Sequence, residues 1–312
     1  MTLLYTSPTF LEHDTGRHPE CAERLRAISR RLAETGLSAQ CQAMEWQAAT
    51  VEELCLVHGA DYPEMIEVSS SGGGGRIEAD TVVSARSYEA ATLAAGAVVD
   101  AVRRGVTGPD RTALCLVRPP GHHALPDRPM GFCLFNNVAI GARFAINELA
   151  LHRVLIVDWD VHHGNGTQDM FWTDPSVGFF SIHRWPFYPG TGNFDETGGG
   201  DGLGTTLNLP TELGISRQDY LAAFRSRLEM FADRLRPELI ILSAGFDSHR
   251  EDPVGSLGLE VEDFATLTDV VRDIAATHAG GRIVSVLEGG YHPERLAESV
   301  ESHLRKLLAS TP

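Results

Sequence analysis

Short apolar runs recur along this chain, separated by amphipathic stretches, and clusters of titratable residues follow several of the runs. The candidate strands are Leu3–Tyr5, Cys41–Met44, Ala113–Val117, Val154–Asp158, Val177–Ser181, Thr205–Leu209, Leu239–Ser243 and Ile283–Leu287. Helical periodicity lies between many of them. Glu23–Thr35 places Leu25, Ile28 and Leu32 at spacings of three and four, and Tyr88–Arg103 is alanine-rich with Leu93, Ala97 and Val98. Asn137–Leu151 and Gln218–Leu235 look similar. Strands alternating with helices predict an α/β fold with a parallel sheet covered on both faces. In such a sheet the active site lies beyond the carboxyl ends of the strands. Arg118-Pro119 follows one run, Asp158 closes another, Ala244–Asp247 follows a third and Glu288–Tyr291 a fourth. Ser69–Gly75 reads as a flexible surface loop and lacks the Lys and Ser/Thr of a phosphate-binding loop. Thr197–Gly204 reads as a turn-rich loop, and strands continue on both sides of each.

The densest cluster is Asp158-Trp159-Asp160-Val161-His162-His163-Gly164-Asn165, directly after Val154–Val157. Residues two apart on a strand point to the same side. Asp160 and His162 are therefore predicted to reach one metal ion, with Asp158 one step below in a supporting role. A second cluster is Arg118-Pro119-Pro120-Gly121-His122-His123, where two prolines and a glycine fix a rigid turn holding two histidines. Its bland alternative is a pair of loop histidines meeting solvent. Asp247 offers one more carboxylate after a strand, although an aspartate there is often only a helix cap. Glu288-Gly289-Gly290-Tyr291 lets the backbone bend sharply and present a tyrosine. Alone, that tyrosine is more often packing than chemistry. Together the four supply the parts of a metallohydrolase. Asp160, His162 and Asp247 make three ligands with open positions left over. A metal such as Zn²⁺ there acidifies water and polarises a carbonyl. An imidazole can carry a proton from the water to a leaving amine, and a tyrosine hydroxyl can stabilise the oxyanion. Sequence order leaves open whether the clusters meet in space.

Lys+Arg is 26 and Asp+Glu is 42 in 312 residues, a net charge of −16. That balance disfavours nucleic acid and suits cationic partners, and it also serves plain solubility. The five cysteines, Cys21, Cys41, Cys55, Cys115 and Cys133, are odd in number and form no C-x-x-C pair. A reduced cytoplasmic compartment fits them better than a disulfide framework. No signal peptide and no membrane-spanning stretch is read in the sequence.

These residues resemble the histone deacetylase and acetylpolyamine amidohydrolase superfamily. The motifs are Arg-Pro-Pro-Gly-His-His at 118–123, Gly-Phe-Cys-Leu-Phe-Asn-Asn at 131–137 and Asp-Trp-Asp-Val-His-His-Gly-Asn-Gly-Thr at 158–167. Further matches are Phe187–Gly192, Ala244–Asp247, Glu288–Tyr291, His18-Pro19-Glu20 and Arg24-Leu25. The resemblance implies the arginase/deacetylase fold, a central eight-stranded parallel sheet with helices on both faces, as one zinc-dependent deacetylase domain over 1–312. It implies one Zn²⁺ on Asp160, His162 and Asp247, with Fe²⁺ left open. It makes His123 the general base, His122 its electrostatic partner and Tyr291 the residue that polarises the carbonyl. Asp158 supports His122, and Asn165 stands behind His123 where many members carry aspartate. Asn165 and Glu288 look like the class II branch. Phe132 and Tyr188, with Gly131, match the walls of an acyl-lysine tunnel, and Asp80 with Thr81 falls where members grip substrate backbone. A structural K⁺ is implied near Asp158, Asp160, His162 and Ser181. Some polyamine-selective members carry a glutamate in an Asp-Pro-Glu-Gly loop, which here reads Asp252-Pro253-Val254-Gly255.

The implied reaction is hydrolysis of an N-acetylated amine, either acetyl-lysine in a protein or an acetylpolyamine, with release of acetate. Acyl length stays open and a homo-oligomer is allowed. A binuclear manganese ureohydrolase is the first rival, but Gly245, Phe246, Ser248 and His249 beside Asp247 add no carboxylate. The second is a non-catalytic acyl-lysine or polyamine-binding module, which a missing ligand or a missing Tyr291 would have favoured. His13, His18, His58, His183 and His249 are expected to make structural hydrogen bonds or to lie exposed, and Cys133 to be a buried thiol rather than a nucleophile.

Overall fold

A computed structural model describes residues 1–309. Its strands are β1 (Thr2–Tyr5), β2 (Gln42–Ala43), β3 (Gly75–Arg76), β4 (Val82–Val83), β5 (Thr112–Cys115), β6 (Val154–Asp158), β7 (Val177–Arg184), β8 (Thr206–Thr211), β9 (Leu239–Ala244) and β10 (Ile283–Leu287). Its helices are α1 (Glu23–Glu34), α2 (Val51–Leu54), α3 (Tyr62–Ser71), α4 (Ser87–Thr107), α5 (Asn137–Glu148), α6 (Asn165–Phe171), α7 (Arg217–Leu235), α8 (Val261–His278) and α9 (Pro293–Leu308). Eight strands form one parallel sheet in the order β2-β1-β5-β10-β9-β6-β7-β8. All eight predicted strands are in it. Every residue of β6, β9 and β10 is buried, as expected of strands covered on both faces. One helical layer is the chain of contacts α1–α9–α8–α7, and α4 packs with α5 in the other.

The register places the functional residues. Asp158 closes β6 between Ser243 of β9 and Ser181 of β7. Asp247 and Glu288 follow the ends of β9 and β10, which are neighbours in the sheet. The three segments thus emerge side by side at one edge.

Two expectations change, and two helices are added. Ser69–Ser71 is not a flexible loop but the last turn of α3, and Gly75-Arg76 pairs antiparallel with Val82-Val83 in a small hairpin. The helix escapes notice because Met65 and Val68 break its apolar stripe at exposed positions. Helices α8 and α9 add the stripes Phe264, Leu267, Val271, Ile274 and Leu296, Val300, Leu304, Leu307 to the core. Finally, β6 ends at Asp158, so Asp160 and His162 do not owe their convergence to strand alternation.

Candidate active site

The loop after β6 is folded by its own carboxylates. Asp158 Oδ1 accepts the Asp160 N–H at 3.0 Å, and Asp160 Oδ1 accepts the His162 N–H at 2.9 Å. Neighbouring loops tie in. Asp247 Oδ1 accepts the Val161 N–H at 2.9 Å, and Asp160 Oδ2 accepts the Gly289 N–H at 2.8 Å. Asp160, His162 and Asp247 are buried, and one ligand atom from each lies within 4.8 Å of the others. His162 Nδ1 is the nitrogen that converges, 3.0 Å from Asp160 Oδ1 and 3.1 Å from Asp247 Oδ2. The second approach is off line for an N–H, so Asp247 Oδ2 is buried without a hydrogen bond. Such an orphan is costly unless something else binds it. A Cβ on Gly245 would strike Asp160, and one on Gly289 would strike both carboxylates, so these glycines let the loops close round the gap. Two carboxylates and one imidazole with room beside them suit Zn²⁺ or Fe²⁺.

The two adjacent histidines are held differently. His122 Nδ1 lies 2.9 Å from Asp158 Oδ2, and His123 Nδ1 lies 2.7 Å from Asn165 Oδ1. Burial opposes charge on His122, but Asp158 and Asp160 outweigh it and hold its pKa up at about 10. Burial pushes His123 well below its ordinary value, and the charges of His122 and His162 push the same way. The two neighbouring imidazoles are thus pushed in opposite directions, His122 toward its charged form by the carboxylates and His123 toward its neutral form by burial. Their loop is pinned by Glu288, whose Oε2 accepts the Gly121 and His122 N–H groups at 2.7 and 3.2 Å. Burial raises the Glu288 pKa to about 7.

Above the carboxylates lies a cavity of ≈ 220 Å³ lined by Asp80, His123, Gly131, Phe132, His162, Phe187, Tyr188, Val254 and Tyr291. Phe132 meets Tyr291 edge-on at 5.7 Å, Tyr188 meets His123 edge-on at 5.3 Å, and Phe187 stacks on His162 at 5.2 Å. Arg24 sits 5.0 Å over the Tyr291 ring, and Asp252 Oδ2 accepts the Tyr291 N–H at 2.6 Å. Burial, above all, holds the Tyr291 hydroxyl well above its ordinary pKa, so it stays a donor.

Every sequence-predicted site residue thus lies at this one locus, from Asp158 and Ser181 at its base to Asp80 at its rim. The five histidines read as structural have local partners: His13 with Ser87, His18 with Glu20 and Asp80, His58 with Leu125 and Asn136, His183 with Ser181 and Gly192, His249 with Glu251. Cys133 is fully buried, and burial raises its pKa well above that of a reactive thiol. Sequence reasoning missed Phe187 and Val254 as lining residues and Glu288 as an anchor. It also missed the buried cluster in which Glu20 receives Arg118 and Arg24, while Arg24 donates to the Gly290 and Glu288 carbonyls. The signal was available in part: Glu20, Arg24 and Arg118 all stand inside motifs already quoted.

A family model for the histone deacetylase domain matches residues 18–307. Histone deacetylase 10, chloroplastic, of Oryza sativa subsp. japonica is 38% identical over 98% of this chain and 73% of its own length. Polyamine deacetylase HDAC10 of Homo sapiens is 43% identical over 93% of this chain, which spans less than half (45%) of that protein. An uncharacterized Synechocystis protein is 37% identical over 99% of this chain and 100% of its own length. The crystal structure of the HDA15 HD domain superposes with a TM-score of 0.93 at 36% identity, covering 100% of this chain and 90% of that one. The fold is therefore that of a deacetylase catalytic domain, and the chain belongs to the histone deacetylase family of hydrolases.

Proposed function

We propose that residues 1–312 form a single zinc-dependent deacetylase domain that hydrolyses the amide of an N-acetylated amine and releases acetate. One observation carries this reading. The Asp160, His162 and Asp247 donors converge within 4.8 Å at the floor of an aromatic-walled cavity that also holds His123 and Tyr291. A Zn²⁺ ion held by those three side chains would polarise the acyl carbonyl and acidify a water.

The chain's own groups do the rest. Phe132 and Tyr188 confine the linear stem of the substrate and exclude bulk water. The Tyr291 hydroxyl donates to the carbonyl oxygen as negative charge develops on it. His123 Nε2 takes the proton of the attacking water and gives it to the departing amine nitrogen. Asn165 fixes the ring by accepting at Nδ1, so Nε2 is the free base; being neutral, it raises His123 basicity less than a carboxylate would. His122, held by Asp158, is the electrostatic partner of His123. A structural K⁺ near Asp158, Asp160, His162 and Ser181 belongs to the same reading. So does a reducing cytoplasmic setting, which suits five free cysteines. No helix among the described residues is long and apolar enough to cross a membrane.

The substrate is an acetylated amine of one of two kinds. The human relative is named a polyamine deacetylase. Val254, however, brings an apolar side chain to the cavity where a polyamine-selective site would need a counter-charge. Measuring kcat/KM of the zinc-loaded protein on acetylspermidine beside an acetyl-lysine peptide decides between them. Turnover of neither, with zinc bound, would sink the acetyl-specific reading and move weight to another acyl group or to a binding module.

A further inference from the structure

The cavity wall contains a backbone that its sequence disfavours. Met130 and Cys133 bridge antiparallel, with the Cys133 N–H on the Met130 carbonyl at 2.9 Å and the Met130 N–H on the Cys133 carbonyl at 3.2 Å. Gly131 and Phe132 are the two central residues, at φ 57° and 71°. A tight hairpin with positive φ at both centres normally takes Asn-Gly or Gly-Gly. Here a phenylalanine occupies the second position, where its Cβ is disfavoured. Such conformations persist only where the surroundings over-determine them, and they gather at functional sites.

The surroundings are specific. Asp80 Oδ1 accepts the Gly131 N–H at 3.1 Å, and Thr81 Oγ1 accepts the Phe132 N–H at 3.1 Å. The Thr81 hydroxyl in turn donates to Asp80 Oδ1 at 3.0 Å. Two consecutive side chains thus receive two consecutive amides. Thr81 is fully buried, so it cannot touch a substrate. The turn also backs onto the base, because a Cβ on Gly131 would run into the His123 ring. His18 packs edge-on against the Phe132 ring at 4.5 Å, with its Nε2 3.2 Å from the Asp80 carbonyl oxygen.

We propose that Asp80 and Thr81 are positioning residues, a two-point clamp that holds the Gly131–Phe132 turn and so fixes the Phe132 wall of the tunnel. The clamp gives Asp80 a task other than gripping substrate. Its effect on turnover rests on the deacetylase reading; its effect on the turn does not.

The test uses the zinc-loaded protein with whichever acetylated amine it turns over. Thr81→Val keeps shape but removes the acceptor of the half-buried Phe132 amide and should lower kcat/KM roughly tenfold. Thr81→Ser restores the acceptor and should recover to within about threefold of the parent. In a Phe132→Ala background, Thr81→Val should add less than about twofold, since the wall it positions is gone. Independent, multiplying losses would overturn the clamp, as would full activity in Thr81→Val. Asp80→Asn keeps an acceptor oxygen and should outperform Asp80→Ala; equal damage would remove Asp80 from the clamp. Amide hydrogen exchange at Phe132 gives a readout without turnover. Faster exchange in Thr81→Val supports the clamp and unchanged protection overturns it, even if the parent hydrolyses no acetylated amine.

Discussion

The floor and the mouth of the cavity are built on different principles. The floor is the ends of β6, β9 and β10, neighbours in one buried sheet, and its carboxylates are locked by backbone N–H groups from Val161, His162 and Gly289. The mouth is assembled from the β3–β4 hairpin, the Met130–Cys133 turn, the Phe187-Tyr188 loop and Val254. Tyr188 at the mouth is 37% exposed, whereas Asp247 on the floor is 0% exposed. A floor of this kind suits chemistry, which needs atoms held to a fraction of an ångström. A mouth made of loops suits selection among substrates, because loops change without disturbing the sheet. Substitutions in the two regions should therefore fail in different ways.

The largest effect belongs to the floor. Asp247→Ala removes a converging donor and the acceptor of the Val161 N–H, so bound zinc and activity should both be lost. Metal content by elemental analysis, beside a circular dichroism spectrum, checks this. Full zinc occupancy would take Asp247 off the ligand set and erase the contrast with the mouth. Next comes Tyr291→Phe, which keeps the ring under Arg24 and deletes only the hydroxyl. It should lower kcat by about 10²–10³ with zinc retained. An unchanged kcat would leave Tyr291 as packing.

The mouth should respond in preference rather than in rate. Val254→Glu adds a carboxylate to the apolar lip. It should raise kcat/KM for acetylspermidine relative to an acetyl-lysine peptide by up to roughly fivefold, a partly exposed charge pair being worth about 1 kcal/mol. The ratio, measured in low and high salt, separates charge from shape, since salt should shrink it. A fall in kcat for both substrates alike would mean that the lip is mechanically part of the floor.

The same division explains what the sequence disclosed. The floor was legible because each of its pieces is a contiguous motif at the end of an apolar run, and the register of a parallel sheet brings run ends together. The reason offered for Asp160 and His162 was nonetheless mistaken: a hydrogen-bonded loop, not a strand, turns them inward. β7 runs on to Arg184 past the predicted Ser181, because Ile182 to Arg184 continue pairing with β8. The mouth was far less legible. Thr81 meets Phe132 across 51 residues, and no local pattern encodes such a pairing. The positive φ of Phe132 contradicts its residue type, so local propensity points away from it.

The smallest effect concerns what lies next to the floor. His303 of α9 packs edge-on against Trp159 at 5.6 Å and against Phe246 at 5.9 Å, each one residue from a proposed ligand. Its nitrogens meet Thr268 Oγ1 at 2.7 Å and Ser285 Oγ at 2.9 Å, and no acid among the described residues pairs with it. Burial pushes its pKa down to about 3. The folded protein therefore keeps this imidazole neutral, while the unfolded chain protonates it near pH 6.5. The unfolded state binds the extra proton, so stability is full above about pH 6.5 and falls as pH drops toward about 3. Between pH 7.5 and 5.5 one such histidine contributes a loss of about 1.4 kcal/mol. His13, His58 and His183, lowered to about 4 by burial, add losses of the same sign. His303→Gln should therefore lose less stability than the parent over that interval, by about 1.4 kcal/mol in urea unfolding. Equal slopes in the two proteins would mean that His303 carries a proton in the fold. A reduced slope with kcat unchanged at pH 7.5 would show that the support of the floor can be altered without touching its chemistry.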